Sequence, residues 1–274
     1  GEEAFDKLDG AWSLAFLDRK NKKLILSRDR FSEKPLYYLE TNNGYYFGSS
    51  PSYILSLSGI TPSINLKKLE RYVRYDFKSM HIDNETFINN IRSLSFATNL
   101  IIDSNGNAKT STYFYKHKNI EFSDTSGIAN IVKQSIVKSL KRRMRSDKPI
   151  AFLLSGGIDS TSLCYLASKE LGKKITCFSV GSTDQRYDES DNIDRTISEL
   201  KCDHFYVRPE IDAQNVSNRL IEFSKEFLSP LPGQNYLLYA ELNNLIKLKG
   251  YSVVISGHGG DELFGGYFIH HNFY

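Results

Sequence analysis

Apolar and polar residues follow two different rhythms along the chain, with the change near residues 115–125. From Gly1 to about Tyr115 the apolar runs are short and bounded by polar turns. Ala11–Leu17 and Leu24–Ser27 predict two strands joined by the charged turn Asp18–Lys23. Leu36–Leu39 and Tyr45–Ser49 flank Thr41-Asn42-Asn43-Gly44, and Asn99–Asp103 and Thr110–Phe114 flank Ser104-Asn105-Gly106-Asn107. Both connections are hairpin signals, because Asn and Gly accept positive φ. One helix is predicted among these strands, with Leu66, Leu69, Tyr72 and Val73 on one face and Asn65 as its N-cap.

Beyond about Ser123, helical and strand patterns alternate. Ile128, Ile131, Val132, Ile136, Leu140 and Met144 mark one face of a helix that ends in the basic run Lys141–Arg145. Pro149–Leu154, Lys174–Val180, His204–Val207 and Tyr251–Ser256 read as strands. Asp159–Glu170, Asp188–Leu200, Asp212–Phe227 and Tyr236–Lys249 read as helices. Strands separated by helices imply right-handed crossovers and a mostly parallel sheet. The expected organisation is therefore α/β: a β-rich part over residues 1–120 and a parallel-sheet domain over 121–274, with the polar stretch Lys116–Asp124 at the boundary.

Composition adds exclusions rather than assignments. A chain of 274 residues suits about two domains, and 40% apolar with 24% charged residues excludes collagen-like, coiled-coil and disordered classes. A net charge of +3 argues for neither a nucleic-acid nor a membrane partner. No run of 18 apolar residues occurs. The three cysteines, Cys164, Cys177 and Cys202, are odd in number and widely spaced, which argues against a disulfide framework and a structural zinc site. Cys164 and Cys177 read as buried thiols, and a reducing cytoplasm is the expected compartment. Lys141–Arg145 reads as a solvated helix end complementing the dipole. His258, His270 and His271 beside Asp261 match no standard zinc spacing, and Trp12, Tyr37 and Tyr38 read as core aromatics.

Two glycine-rich strings carry the chemistry. In Phe152-Leu153-Leu154-Ser155-Gly156-Gly157-Ile158-Asp159-Ser160-Thr161 an apolar strand runs through a glycine turn into a helix. Adjacent glycines let backbone approach an anion, N–H groups at the helix start point at it, and Ser155, Ser160 and Thr161 add hydroxyls. Asp159 can hold a divalent ion against phosphate oxygens. The string is neither a Walker A loop nor Gly-x-Gly-x-x-Gly. The second string, Ser256-Gly257-His258-Gly259-Gly260-Asp261-Glu262-Leu263-Phe264-Gly265-Gly266-Tyr267, also follows a strand. In a parallel sheet both strings emerge at one carboxyl edge, and Asp261 could face Asp159 across a shared metal.

Leu-Leu-Ser-Gly-Gly-Ile-Asp-Ser resembles the pyrophosphate loop of N-type ATP pyrophosphatases, the PP-loop or adenine nucleotide alpha hydrolase-like fold. With the second string it resembles the glutamine-hydrolysing asparagine synthetase family, and Tyr187-Asp188-Glu189-Ser190 is similar to an acidic string of that family. Gly1–Ala4, Leu8–Ser13 and Arg28-Asp29-Arg30-Phe31-Ser32-Glu33-Lys34-Pro35-Leu36-Tyr37-Tyr38 are similar to the late part of its class II amidotransferase domain, an N-terminal nucleophile-type glutaminase. The resemblance implies ATP and Mg2+ as cofactors and a carboxylate, by default aspartate, activated as an acyl-adenylate with release of AMP and pyrophosphate, the amide nitrogen coming from glutamine or ammonia. It implies nucleotide contacts at Leu154, Ser155, Gly156, Gly157, Asp159, Ser160, Val180, Ser256 and Gly257, and metal ligands at Asp159 and Asp261. His258 and Glu262 are the candidate catalytic residues, although the family usually has Glu where His258 stands. The family's nucleophilic Cys and catalytic Lys lie outside these 274 residues, so the expectation is the middle of a larger enzyme, with little activity alone. Small molecules are the expected partners, without nucleic acid or membrane, and a homodimer is open. Amidation or cyclisation of a glycan, peptide or other metabolite, and RNA modification, are the alternatives.

Overall fold

The computed structural model describes residues 2–114, 127–181, 188–208, 213–233 and 235–267. Gly1, the Lys116–Asp124 boundary, Tyr187, His270 and His271 lie outside the described residues. The first elements are β1 (Ser13–Asp18), β2 (Lys23–Arg28), β3 (Tyr37–Thr41), β4 (Gly44–Gly48), α1 (Pro51–Ser58), α2 (Leu66–Tyr75), β5 (Ile91–Ser93), β6 (Thr98–Ile102) and β7 (Ala108–Thr112). Then come α3 (Ile128–Arg143), β8 (Ile150–Leu153), α4 (Ile158–Tyr165), β9 (Thr176–Val180), α5 (Ser190–Leu200), β10 (Asp203–Val207), α6 (Ala213–Phe227), α7 (Asn235–Leu248), β11 (Val253–Ile255) and α8 (Gly260–Phe264). No described helix is long and apolar enough to cross a membrane.

Contacts group the chain into two compact units, Gly1–Ile120 with Ala213–Gln234, and Glu121–Asp212 with Asn235–Tyr274. Thus α6 belongs with the first unit although it lies in sequence within the second half. Leu228, just past α6, packs on Leu39, Ile54, Ile88 and Ile91, and the Tyr72 hydroxyl donates to Leu231 O at 3.1 Å.

The first unit holds two antiparallel sheets, β1-β2-β6-β7 and β4-β3-β5. Leu26, Leu100 and Ile102 pack with Tyr38, Tyr45 and Phe47, so inward side chains of both sheets share a core. The Arg28–Leu36 string is built around two side chains. Asp29 is fully buried and accepts N–H bonds from Phe31 and Glu33 (both 3.0 Å), Lys34 (2.9 Å) and Trp12 (3.3 Å). Arg28 donates to Lys34 O at 2.9 Å, Leu94 O at 2.6 Å and Ser93 Oγ at 2.9 Å. One carboxylate satisfies the donors of the loop and one guanidinium its acceptors.

Asn65 caps α2, accepting from Lys68 N at 3.1 Å. The buried face differs from the expected one. Leu66 and Val73 are 71% and 76% exposed, whereas Lys68 is 3% exposed. Its ammonium bonds Asp83 Oδ1 at 2.9 Å and lies 5.8 Å from the Phe87 ring centroid. Arg71 also bonds Asp83, and although burial pushes that carboxyl up, the two cations hold it below the usual 3.8. A paired charge and an aromatic face thus draw a lysine stem inside.

The second unit is a four-stranded parallel sheet of order β10-β9-β8-β11. Alternate residues of its strands face opposite layers: Phe152, Leu154 and Cys177 pack with Leu140, Cys164, Ile193 and Leu200, and Ala151 and Phe178 with Leu242 and Ile246 of α7. Helices therefore cover both faces, as the hydrophobic runs of the strands require. The helix expected over Asp159–Glu170 is α4 followed by a π-turn, Leu166–Glu170. The three thiols are free but meet in this core, Cys164 Sγ 3.8 Å and Cys202 Sγ 3.6 Å from Cys177 Sγ. Thiol–thiol hydrogen bonding, then burial, raises the pKa of Cys202. Strand pairing brings together sulfurs that their sequence separation hides.

Candidate nucleotide site

The chain runs β8 to β9 to β10 in one direction across the sheet and then returns to the other side of β8 with β11. That reversal makes the carboxyl end between β8 and β11 the topological switch point, where open parallel sheets bind ligands. Ser155–Ser160 leaves β8 and Ser256–Glu262 leaves β11 at this point. In the first loop Gly156 has φ +88° and an added Cβ would lie 3.1 Å from both Glu189 Cβ and Glu189 O, and 3.2 Å from Asn192 Cβ. Gly157, with φ −72°, is the N-cap of α4 and carries no side-chain cap. Among the described residues no side chain thus caps the first N–H groups of that helix. Ser155 Oγ accepts from Gly157 N at 3.3 Å and lies 3.0 Å from Ser160 Oγ. Ser160 Oγ accepts from Ser155 N and donates to Gly157 O, both at 3.1 Å, while Thr161 Oγ1 is buried without a partner among the described residues. The serine hydroxyls thus brace the turn from inside.

The two loops touch. A Cβ on Gly257 would meet Ser160 N at 2.9 Å and Asp159 Cβ at 3.0 Å, and one on Gly260 would collide with the Asp159 carboxylate. Only glycine permits this approach. Asp261 lays its own carboxylate against Gly266. The Tyr267 hydroxyl donates to Glu262 Oε1 at 2.9 Å, and that bond, then burial and the charges of Glu262, Asp261 and Asp159, raise the phenol's pKa. The backbone N–H of Glu262, the Tyr267 hydroxyl and His258 hold the Glu262 carboxyl below its usual value. His258 uses both ring nitrogens, Nδ1 at 2.9 Å from Ser256 Oγ and Nε2 at 3.2 Å from Tyr239 OH. Leu154 is buried at the end of β8 and Val180 ends β9 in a half-buried position.

All the expected site residues therefore gather at one sheet edge. Among the described residues no group of three His, Cys, Asp or Glu side chains is arranged to hold a metal ion. A separate cavity of about 280 Å³ lies in the first unit, lined by Leu39, Thr41, Leu55, Ile88 and Ile91, and holds none of the expected residues. Tyr239 and Tyr267 were not singled out from sequence. Tyrosine is common here, 17 in all, and nothing in a lone Tyr marks it as a neighbour of a loop.

The asparagine synthase family model matches residues 132–273, more than half of the chain. The chain belongs to the asparagine synthase family. A glutamine amidotransferase domain matches residues 1–114. The chain is 28% identical over 272 residues to asparagine synthetase [glutamine-hydrolyzing] 1 of Bacillus subtilis, covering 98% of this chain and 41% of that protein. It is 28% identical over 281 residues to a putative asparagine synthetase [glutamine-hydrolyzing] 2 of Methanocaldococcus jannaschii, covering 100% of this chain and 53% of that protein. Amidase chyE of Penicillium rubens is 26% identical over 282 residues, with 95% and 40% covered. The chain thus spans roughly half the length of these relatives, or less. Within the family, the asparagine synthase match contains both glycine loops and the whole parallel sheet.

Proposed function

We propose that this chain is part of an ATP-dependent amidoligase whose second unit binds Mg-ATP at the β8/β11 switch point and activates a carboxylate for amide formation. The observation that carries the reading is the pair of glycine loops in contact there, one opening a helix without a side-chain cap. The N–H groups of that helix start would hold the leaving pyrophosphate. The residues fit such a ligand: Gly156 adopts positive φ with Glu189 and Asn192 behind it, and Thr161 Oγ1 lacks a partner among the described residues. Mg2+ commonly uses one or two carboxylates and completes its shell with phosphate oxygens and water, so Asp159 and Asp261 suffice as protein ligands. The metal would neutralise charge developing on the pyrophosphate. Glu262, kept ionised by Tyr267 and its own backbone N–H, and His258, oriented by Ser256 and Tyr239, are the groups available to orient the incoming amine or take its proton. Glutamine is the proposed nitrogen source, aspartate the default acid, and the cytoplasm the proposed compartment.

His258 favours a second reading, amidation of another carboxylate. Imidazole cannot supply a permanent negative charge, so a substrate ammonium would lack the partner that a glutamate gives it. Pyrophosphate release by the full-length protein, followed over a panel of carboxylic acids, tests both. Acid-dependent release is expected, with aspartate best under the first reading. Another preferred acid, with aspartate gained by His258→Glu, supports the second. Release that depends on no acid contradicts both.

A further inference from the structure

The peptide between Leu154 and Ser155, where β8 becomes the glycine loop, is held at both ends. On one side, Leu154 O accepts from Ser179 Oγ at 2.5 Å, and on the other, Ser155 N donates to Ser160 Oγ at 3.1 Å. Leu154 N adds a bond to Phe178 O at 2.9 Å. Ser179 is 1% exposed on β9, and its oxygen lies 2.9 Å from Nε2 of His204 on β10. A serine hydroxyl has one proton, and here it is committed to Leu154 O. His204 Nε2 must therefore be the protonated nitrogen and the donor. A continuous chain results: His204 Nε2–H to Ser179 Oγ–H to Leu154 O, across the peptide from Ser155 N–H to Ser160 Oγ–H, and on to Gly157 O at 3.1 Å. It runs from the edge strand of the sheet to the first turn of α4.

The geometry points to His204 and Ser179 as positioning residues that fix the tilt of the nucleotide loop without touching the nucleotide. This rests on the nucleotide-site reading above and adds two residues to it. A rigid anion site needs its N–H groups aimed before the ligand arrives, and the orientation of the Leu154–Ser155 peptide sets where Gly156 and Gly157 follow. Ser179 is the element inside the core: if its proton were free to turn toward His204, Leu154 O would lose its partner in a buried position. His204 prevents this by occupying the oxygen as a donor. Bonds in series polarise one another, so the two side chains should act as a unit.

The test uses the full chain with His204→Leu, Ser179→Ala, the double variant and His204→Gln, whose amide N–H can replace Nε2–H. Two quantities are read: hydrogen exchange of the Ser155 amide without nucleotide, and Mg-ATP affinity. His204→Leu and Ser179→Ala are each expected to speed exchange about tenfold and weaken Mg-ATP about tenfold, as loss of one buried hydrogen bond implies. The double variant should lose no more than either single one, and His204→Gln should stay within about twofold of the parent. Unchanged exchange in both single variants, losses that multiply in the double, or a Gln variant as impaired as Leu would overturn the proposal. Faster exchange with no Mg-ATP binding in any form would overturn the nucleotide assignment while keeping the brace.

Discussion

Gly156→Val is expected to abolish measurable Mg-ATP binding, a loss of at least about a hundredfold. A β-branched residue at positive φ is an outlier in protein backbones, costing about 1–2 kcal/mol before any contact is counted. At φ +88° its Cβ would also press on Glu189 and Asn192 at 3.1–3.2 Å, so the loop would have to leave the α5 start to relieve it. Gly157→Ala is the control. That residue has φ −72°, which any residue accepts, and an added Cβ meets nothing closer than Ser155 Oγ at 3.4 Å. Titration calorimetry with Mg-ATP should find the alanine at 157 within about tenfold of the parent and the valine at 156 without detectable heat. Equal effects at the two positions would show that the glycines matter for something other than backbone conformation.

Asp29→Ala should give the largest loss of stability, about 3–5 kcal/mol, the range for breaking a buried charged network. The carboxylate is fully buried and accepts four backbone N–H bonds, and alanine would take this acceptor from all four donors at once. Trp12 is the only tryptophan and its own N–H is one of the four, so its fluorescence reports on the first unit directly. Urea unfolding followed at Trp12 should move to clearly lower concentration in Asp29→Ala. Asp18→Ala, in an exposed turn where the carboxylate accepts from the side chain and backbone of Asn21, should shift it by under about 1 kcal/mol. Comparable midpoints for the two variants would remove Asp29 as the organiser of its loop.

The sequence was most legible where one physical demand repeats locally. Strand runs bounded by turn residues located β1–β4 and β6–β11 to within a few residues, and the strand–glycine–helix order of Leu154–Ser160 gave the loop its context. Short elements left too little pattern: α1 is eight residues, three of them Ser, and β5 and α8 span three and five. Long-range pairings left none. Lys68 is buried because Asp83 and Phe87 wait for it, the three sulfurs meet because β9 lies between α4 and β10, and Tyr239 reaches His258 from a different helix. The Arg28–Leu36 string shows a further gap. As a motif it pointed to a family, whereas its Arg and Asp prove to satisfy loop backbone.

The central claim is that nucleotide phosphates lie between the loops after β8 and β11. It is tested most directly by following backbone amide resonances of the full chain while Mg-ATP is added. The account predicts saturable shifts with one common Kd at Ser155–Ser160 and Ser256–Glu262. Shifts confined to the Leu39–Ile91 cavity of the first unit, or none at either glycine loop at saturating nucleotide, would contradict it.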